Sequence, residues 1–147
     1  MTKRIETIVK EKLDSIHRNT VPIRNGGEIE KGYGYKPDRV YDVKTELLII
    51  EIETSTDRKK HIGNYIKAHE YIAKNGKSGK ILMIIKERDN TKLCDIARQI
   101  SRYHNWINEL GAKEIGLQII TISQLDKAVQ NNVGLFTKSF GSIGLQL

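Results

Sequence analysis

Apolar residues recur along this chain with two alternating periods. Apolar residues three or four apart predict amphipathic helices, whereas short apolar or alternating runs predict strands. Helices are expected at residues 2–19, 57–76, 90–111 and from 123 onward. Strands are expected at 39–43, 47–52, 81–85 and 115–122, with room for a short first strand near 28–31. Alternating helices and strands are typical of a sheet covered by helices.

The strands at 39–43 and 47–52 are predicted to pair as an antiparallel hairpin around the polar dipeptide Lys44-Thr45. If that dipeptide is a two-residue loop, Val43 faces Glu46. Neither Lys nor Thr accepts the positive φ of such loops easily. A three-residue loop, which would shift the register, therefore stays open as the alternative.

The two-residue register brings three acidic side chains together. It places Asp38 opposite Glu51 with Cβ atoms about 5 Å apart, and Glu53, two residues on, points to the same face. Like charges at this spacing destabilise paired strands. A divalent cation with oxygen ligands would compensate, and without it the pKa values of these carboxylates are expected to be raised. The plainer alternative is a solvated strand end on which the acids never meet.

The order of the elements places these acids at an edge where ligands bind. The strand–helix–strand steps after residue 46 imply parallel pairing with right-handed crossovers, next to the antiparallel hairpin. Ligands in open α/β sheets bind beyond the carboxyl ends of the parallel strands. Glu51 and Glu53 end one such strand, and Asp38 begins the antiparallel strand beside it, so all three reach this edge. At 147 residues, the chain is expected to form one domain, 1–147, with a mixed α/β sheet.

The composition adds a basic surface. The formal net charge is +7, from 25 basic and 18 acidic residues. This charge suits a polyanionic partner, although Lys/Glu-rich surfaces also mark thermophilic proteins. Neither a bilayer-spanning run nor a signal peptide is expected, and no zinc spacing occurs among the histidines. With one cysteine, Cys94, a cytoplasmic protein without a membrane partner is the expectation.

A glycine-rich segment at 24–36 interleaves tyrosines with lysines. Tyr33 and Tyr35 could stack on bases while Lys31 and Lys36 neutralise phosphates. The alternative is that the tyrosines pin the loop to the core.

These residues resemble the motif of the PD-(D/E)XK nuclease superfamily, which includes many restriction enzymes and Holliday-junction resolvases. Pro37-Asp38 matches the first half of the motif and Glu51-Ile52-Glu53 the second, with Glu53 where Lys is usual. The resemblance implies a restriction-endonuclease-like αβββαβ core over about residues 2–86, followed here by a further αβα. It also implies Mg²⁺ or Mn²⁺ held by Asp38, Glu51 and the Ile52 carbonyl.

The resemblance suggests further residues near the site. The family's first helix often carries an acid, for which Glu6 is the first candidate and Glu11 the second. Glu28 or Glu30 would serve if the first strand reaches the rim.

The helix after the hairpin offers basic candidates. Lys59 is expected to do part of the work of the missing motif Lys, and Lys60 and His61 to contact nucleic acid. His61 and Tyr65 also match the spacing of the Gln-x-x-x-Tyr motif of exonuclease-type relatives, with His in place of Gln. Tyr65 lies on the apolar stripe, so a core role is the plainer alternative, and His61 is expected to be the more exposed.

The expected function is a metal-dependent endonuclease that hydrolyses DNA, of the restriction or the structure-specific repair type. A different class of function stays open as the alternative, namely a catalytically degenerate nucleic-acid-binding or assembly domain on the same fold. The apolar, glycine-rich tail at 134–147 either closes the core or forms a homodimer interface. A homodimer is expected, since it suits enzymes that cut two strands.

Overall fold

The computed structural model describes residues 4–16, 32, 34–43, 46–74, 78–89, 92–110 and 115–147. The predicted strand near 28–31 lies outside these residues. The elements, in chain order, are α1 (Ile5–Ile16), β1 (Arg39–Val43), β2 (Glu46–Glu53), α2 (Arg58–Lys74), β3 (Ser78–Ile85), α3 (Leu93–Glu109), β4 (Gly116–Thr121), α4 (Ile122–Gln130), α5 (Lys138–Gly141) and β5 (Leu145–Gln146).

The strands form one mixed sheet in the order β1-β2-β3-β4-β5. The central strands β2, β3 and β4 are parallel, while β1 and β5 are antiparallel edges. In the hairpin, Val43 pairs with Glu46 and Arg39 with Ile50. This register confirms the two-residue loop and excludes the three-residue alternative. Lys44 and Thr45 themselves lie outside the described residues.

Each face of the sheet has its own core, because successive strand residues point to opposite faces. Leu47 and Ile49 belong to the core under α2 and α3, whereas Leu48, Ile50 and Ile52 belong to the core under α1 and α4. β2 is therefore apolar on both sides for most of its length, as expected for a central strand.

The tail closes the second core. Phe140 is buried in it, and the buried side-chain amide of Gln118 donates to the carbonyls of Phe140 (2.9 Å) and Ile143 (2.8 Å). The backbone of Leu147 exchanges hydrogen bonds with Leu117 on β4. The core-closing interpretation of the tail is thus confirmed. Across the described residues, no helix has both the length and the apolar character needed to cross a membrane.

Candidate functional site

One row of β2 side chains changes from apolar to acidic at its carboxyl end. Leu47 and Ile49 are in the core beneath α2 and α3, and Glu51 and Glu53 continue the same row. Both glutamates are only 3% exposed. Since α2 and β3 cover this end of β2, two carboxylates are held in surroundings that disfavour their charge.

Asp38 meets this row from the neighbouring strand. Its Oδ2 accepts the backbone N–H of Ile52 at 2.7 Å, just beyond the last paired residues of β1. N–H and C=O of one residue point to the same neighbouring strand, so the Ile52 carbonyl also points towards β1. Pro37, which precedes Asp38, has no N–H to donate to that carbonyl.

The acids surround a polar cleft of about 220 Å³ at this rim. Its lining comes from α1, the segment before β1, the end of β2 and the first turns of α2. The lining residues are Glu6, Lys36, Asp38, Glu51, Ile52, Glu53, Thr54, Ser55, Lys60 and Asn64. The hairpin register and the topology therefore bring together Asp38, Glu51 and Glu53, with Glu6 as a fourth acid.

Glu6 and Asp38 act as a pair. Burial raises the pKa of Asp38 to about 7, partly opposed by the Ile52 N–H and reinforced by Glu6. Burial also disfavours the charge of Glu6, but hydrogen bonds from Lys10 and Asp38 bring its pKa below the usual value. Lys10 Nζ lies 3.0 Å from Glu6 Oε1. Of the pair, Asp38 is therefore the carboxyl whose pKa is raised and Glu6 the one whose pKa is lowered. Glu11, the second candidate, is exposed outside the cleft lining.

Glu51 is held by Tyr35. The phenol O–H of Tyr35 donates to Glu51 Oε1 at 2.5 Å. Burial raises the pKa of Glu51 to about 9, and repulsion from Asp38 and Glu53 adds to it, while the Tyr35 hydrogen bond opposes it. Burial and the charge of Glu51 likewise raise the pKa of Tyr35. The pKa values of Asp38, Glu51 and Glu53 are all raised, but the main cause is burial and not the crowding of like charges.

Tyr35 was expected to offer its ring to nucleic-acid bases, and that expectation is wrong. Tyr35 is only 3% exposed and packs in the core under α2. It pins the loop to the core and orients Glu51. Lys36, the next residue, is exposed and lines the cleft. Lys31 and Tyr33 lie outside the described residues, so their roles stay predictions.

Glu53 is held by a residue that the sequence reasoning missed. The side-chain amide of Asn64 donates to Glu53 Oε1 at 2.8 Å. Burial raises the pKa of Glu53, and Asn64, His61 and Lys60 oppose that rise. A signal was present in the sequence, since Asn64 follows Lys60 by one helical turn and therefore shares its side of α2.

The lysines at the start of α2 differ in position. Asp57 caps the helix by accepting the backbone N–H groups of Lys59 (3.0 Å) and Lys60 (3.4 Å). Both side chains are exposed, but Lys60 lines the cleft and Lys59 is outside its lining. Lys60 is thus the better placed of the two for a ligand in the cleft.

His61 was expected to be exposed and to contact nucleic acid, but it is only 1% exposed. Its Nε2 donates to the Ser55 carbonyl at 2.8 Å, which orders the turn between β2 and α2. Tyr65 is fully buried, and its hydroxyl is hydrogen-bonded to His104 Nδ1 at 2.6 Å. The core interpretation of Tyr65 is therefore the correct one.

No protein-family model and no curated protein matches the chain. Among solved structures, the chain is similar to the small subunit of the heterodimeric restriction endonuclease R.BspD6I. The TM-score is 0.51 and the sequence identity 19%, covering 90% of this chain and 70% of that chain. At this identity the likeness concerns the fold alone. The expected fold class is confirmed: a five-stranded mixed α/β sheet flanked by helices, similar to a restriction endonuclease subunit.

Proposed function

We propose that this chain is a metal-dependent deoxyribonuclease that hydrolyses phosphodiester bonds in the carboxylate cleft. The observation that carries the proposal is that buried Glu51 and half-buried Asp38 line one cleft at the carboxyl rim of the sheet. Two carboxylates with raised pKa values inside a ligand-sized cleft are more typical of a functional site than of a structural one. The restriction-endonuclease-like fold adds support.

The donor set fits a hard divalent cation. Although four acids line the cleft, no three His, Cys, Asp or Glu side chains among the described residues lie close enough together to hold one metal ion by themselves. Mg²⁺ does not need such a group, because one or two carboxylates bind it while waters and substrate phosphate complete the shell. Asp38 and Glu51 supply the carboxylates. The Ile52 carbonyl, which points to the same side of β2 as the Ile52 N–H, supplies a neutral oxygen.

The cleft residues then divide the work of hydrolysis. Bound Mg²⁺ or Mn²⁺ supplies a more acidic water and neutralises the scissile phosphate. Glu53 accepts the proton of the attacking water, whose oxygen forms the new bond to phosphorus. The bond from phosphorus to the leaving oxygen breaks, and that oxygen takes a proton from solvent. Asn64 orients Glu53 for this role, and Lys60 and Lys36, at the cleft wall, contact the phosphate.

A nucleic-acid-binding domain without catalysis is the second candidate. Glu53 stands where the resembling nucleases usually carry Lys. A Lys at that place would orient water and also stabilise negative charge on the phosphorane, and a Glu cannot supply that second effect. On this alternative, the cleft binds DNA and metal but does not cut.

A cleavage screen across duplex, nicked, branched and single-stranded DNA, with Mg²⁺ or Mn²⁺, tests the proposal. We expect cleavage that needs the metal and is abolished by Asp38→Asn, with DNA binding retained. Glu46→Gln is the matched control, because Glu46 is exposed at the opposite end of β2. Cleavage in excess chelator, or by the Asp38→Asn variant, would contradict the proposal. Binding without cleavage would favour the second candidate.

The partner and assembly follow from the same proposal. A DNA partner predicts binding that weakens steeply with salt, because each neutralised phosphate adds nearly one unit to the slope of log K against log salt. The homodimer stays a prediction. Phe136, Leu145 and Leu147, which are 39–43% exposed, are the apolar tail residues available for it. Sedimentation of the full chain beside a Leu145→Ser/Leu147→Ser variant checks it, and a monomer in both cases would refute it.

A further inference from the structure

Three arginines surround a second hollow outside the carboxylate cleft. The hollow has a volume of about 250 Å³ and lies between the start of α2 and the first half of α3. Arg58 lines it from α2, and Arg98 and Arg102 line it from α3, together with Asp95 and Gln99. With three guanidinium groups and one carboxylate, the hollow carries a formal charge of +2.

These guanidinium groups are available to a ligand. All three arginines are exposed. Within the part of the chain that the structure describes, no carboxylate lies within ion-pair distance of them. By contrast, Arg39 is buried and paired with Asp14. Arginine presents a planar fork that matches phosphate oxygens, so an unpaired cluster of this kind suits a phosphodiester backbone.

The hollow and the carboxylate cleft are both lined by residues of the first turn of α2. β2 and β3 are parallel and end at the same rim, so the helices that follow them, α2 and α3, both begin there. Arg58 precedes Lys60, which lines the cleft, by two residues, or about 3 Å along the helix axis. Residues two apart on a helix face different sides, so a strand that leaves the cleft past Lys60 crosses the N-terminal turn of α2 to reach Arg58 and then the arginines of α3.

The exposed side of α3 extends this path. Arg98, Arg102 and Trp106 follow one another at four-residue spacing, about 6 Å per step along one side of the helix. Trp106 is 56% exposed, which is unusual for so large an apolar side chain. A cation row that ends in an exposed aromatic ring offers both phosphate neutralisation and a surface for base stacking.

We propose that Arg58, Arg98 and Arg102 bind the sugar-phosphate backbone of the DNA strand that leaves the carboxylate cleft, with Trp106 at the far end of the contact. The inference rests on the proposed function, since it names the path of that substrate. These arginines contact phosphates, and such contacts position the substrate without a sequence preference.

The test compares DNA binding by the full-length protein with that of Arg98→Gln/Arg102→Gln, in buffer with chelator to suppress cleavage. The probe is a fluorescein-labelled duplex, titrated at several salt concentrations. The matched control is Lys127→Gln/Lys138→Gln, which removes the same charge from exposed residues on α4 and α5. Loss of two phosphate contacts should lower the slope of log K against log salt by about 2 units, with the control unchanged.

Trp106 gives a second readout that is independent of charge. It is the only tryptophan of the chain, so its emission reports on this surface alone. We expect saturating unlabelled duplex to change the emission of the unaltered protein but not that of the arginine variant at the same DNA concentration. An unchanged emission on DNA binding, or equal slopes for both variants, would overturn the inference.

The outcomes separate this inference from the proposed function. If the unaltered protein cuts DNA but the arginine variant binds like the control, the inference fails and the nuclease proposal stands. If no cleavage occurs under any metal but the slope and emission change as described, the inference stands and the nuclease proposal fails.

Discussion

Asp38 accepts the backbone N–H of Ile52 at 2.7 Å, so one carboxylate is both a structural acceptor and a candidate metal ligand. This hydrogen bond links the two chain segments just beyond the last backbone-paired residues of the hairpin, Arg39 and Ile50. Two substitutions separate the roles, because Asn keeps an acceptor oxygen and Ala does not. In chelator, Asp38→Ala should lose about 1–3 kcal/mol of unfolding free energy relative to Asp38→Asn. Urea unfolding of both variants checks this, and equal stabilities would show that the hydrogen bond contributes nothing.

Metal binding should strengthen as pH rises. Asp38, with a pKa of about 7, and Glu51, with a pKa of about 9, must release protons before they bind a cation. Calorimetric titration with Mn²⁺ should therefore give a higher affinity at pH 8 than at pH 6. Asp38→Asn should weaken binding at both pH values, while Glu46→Gln should match the unaltered chain. An affinity that does not change with pH would contradict this assignment of the ligands.

Without metal, the fold should lose stability as pH rises. The pKa of Glu51 is raised from 4.5 to about 9 in the folded chain, so its stability contribution is complete below about pH 4.5 and is lost as pH approaches 9. For one such group, the free energy of unfolding falls by at most about 1.4 kcal/mol per pH unit. Glu51→Gln keeps an acceptor for Tyr35 and removes the titration. Urea unfolding at pH 6 and pH 8 should show a smaller loss in this variant, and an equal loss would refute the prediction.

Asn64 should act on catalysis through Glu53. Its amide donates to Glu53 Oε1 and holds the pKa of that carboxyl down. In Asn64→Ala the rising limb of the pH–rate profile should move to higher pH, and kcat at neutral pH should fall. Asn105→Ala, at an exposed position on α3, is the control. A lower kcat with an unmoved profile would indicate that Asn64 does not position the base.

Tyr65 should matter for stability and not for cleavage. Tyr65→Phe removes the hydrogen bond to the buried His104, at a cost of about 1–3 kcal/mol. Tyr35→Phe, in contrast, releases Glu51 and should change metal affinity. Thermal unfolding and calorimetry on the two variants distinguish these effects. Loss of cleavage by Tyr65→Phe at unchanged stability would instead favour a role like that of the exonuclease motif.

The sequence predicts the hairpin and its acids because strand geometry is periodic. Once a two-residue loop pairs Val43 with Glu46, the same alternation that buries Leu47 and Ile49 determines where Glu51 points. The register therefore follows from local rules.

The partners of the acids do not follow from local rules. Tyr35 lies 16 residues from Glu51 in sequence, and no period relates the two, so only the folded loop brings them together. His61 is a polar residue near the start of a helix, a position that favours exposure. In the structure it is buried, and its hydrogen bond to the Ser55 carbonyl stabilises this burial. α3 and α4 begin at Leu93 and Ile122, and not at residues 90 and 123 as expected from the sequence. α3 has no side-chain cap on Lys92, and the capping box of α4 begins at Thr121. For Tyr35 and His61, a contact outside the periodic pattern determines the position of the side chain.

The length of the hairpin loop controls the cleft from a distance. Asp38 lies five residues, or about 17 Å of extended strand, from the Val43 end of the hairpin. An insertion between Val43 and Glu46 would alter none of the acids of the cleft. If it shifts the strand pairing by one residue, however, Asp38 points to the opposite face from Glu51. A single-codon insertion there would thus separate the acids while every acidic residue remained in place. Among homologous chains, the spacing across this loop is therefore as informative about an intact cleft as the acids themselves.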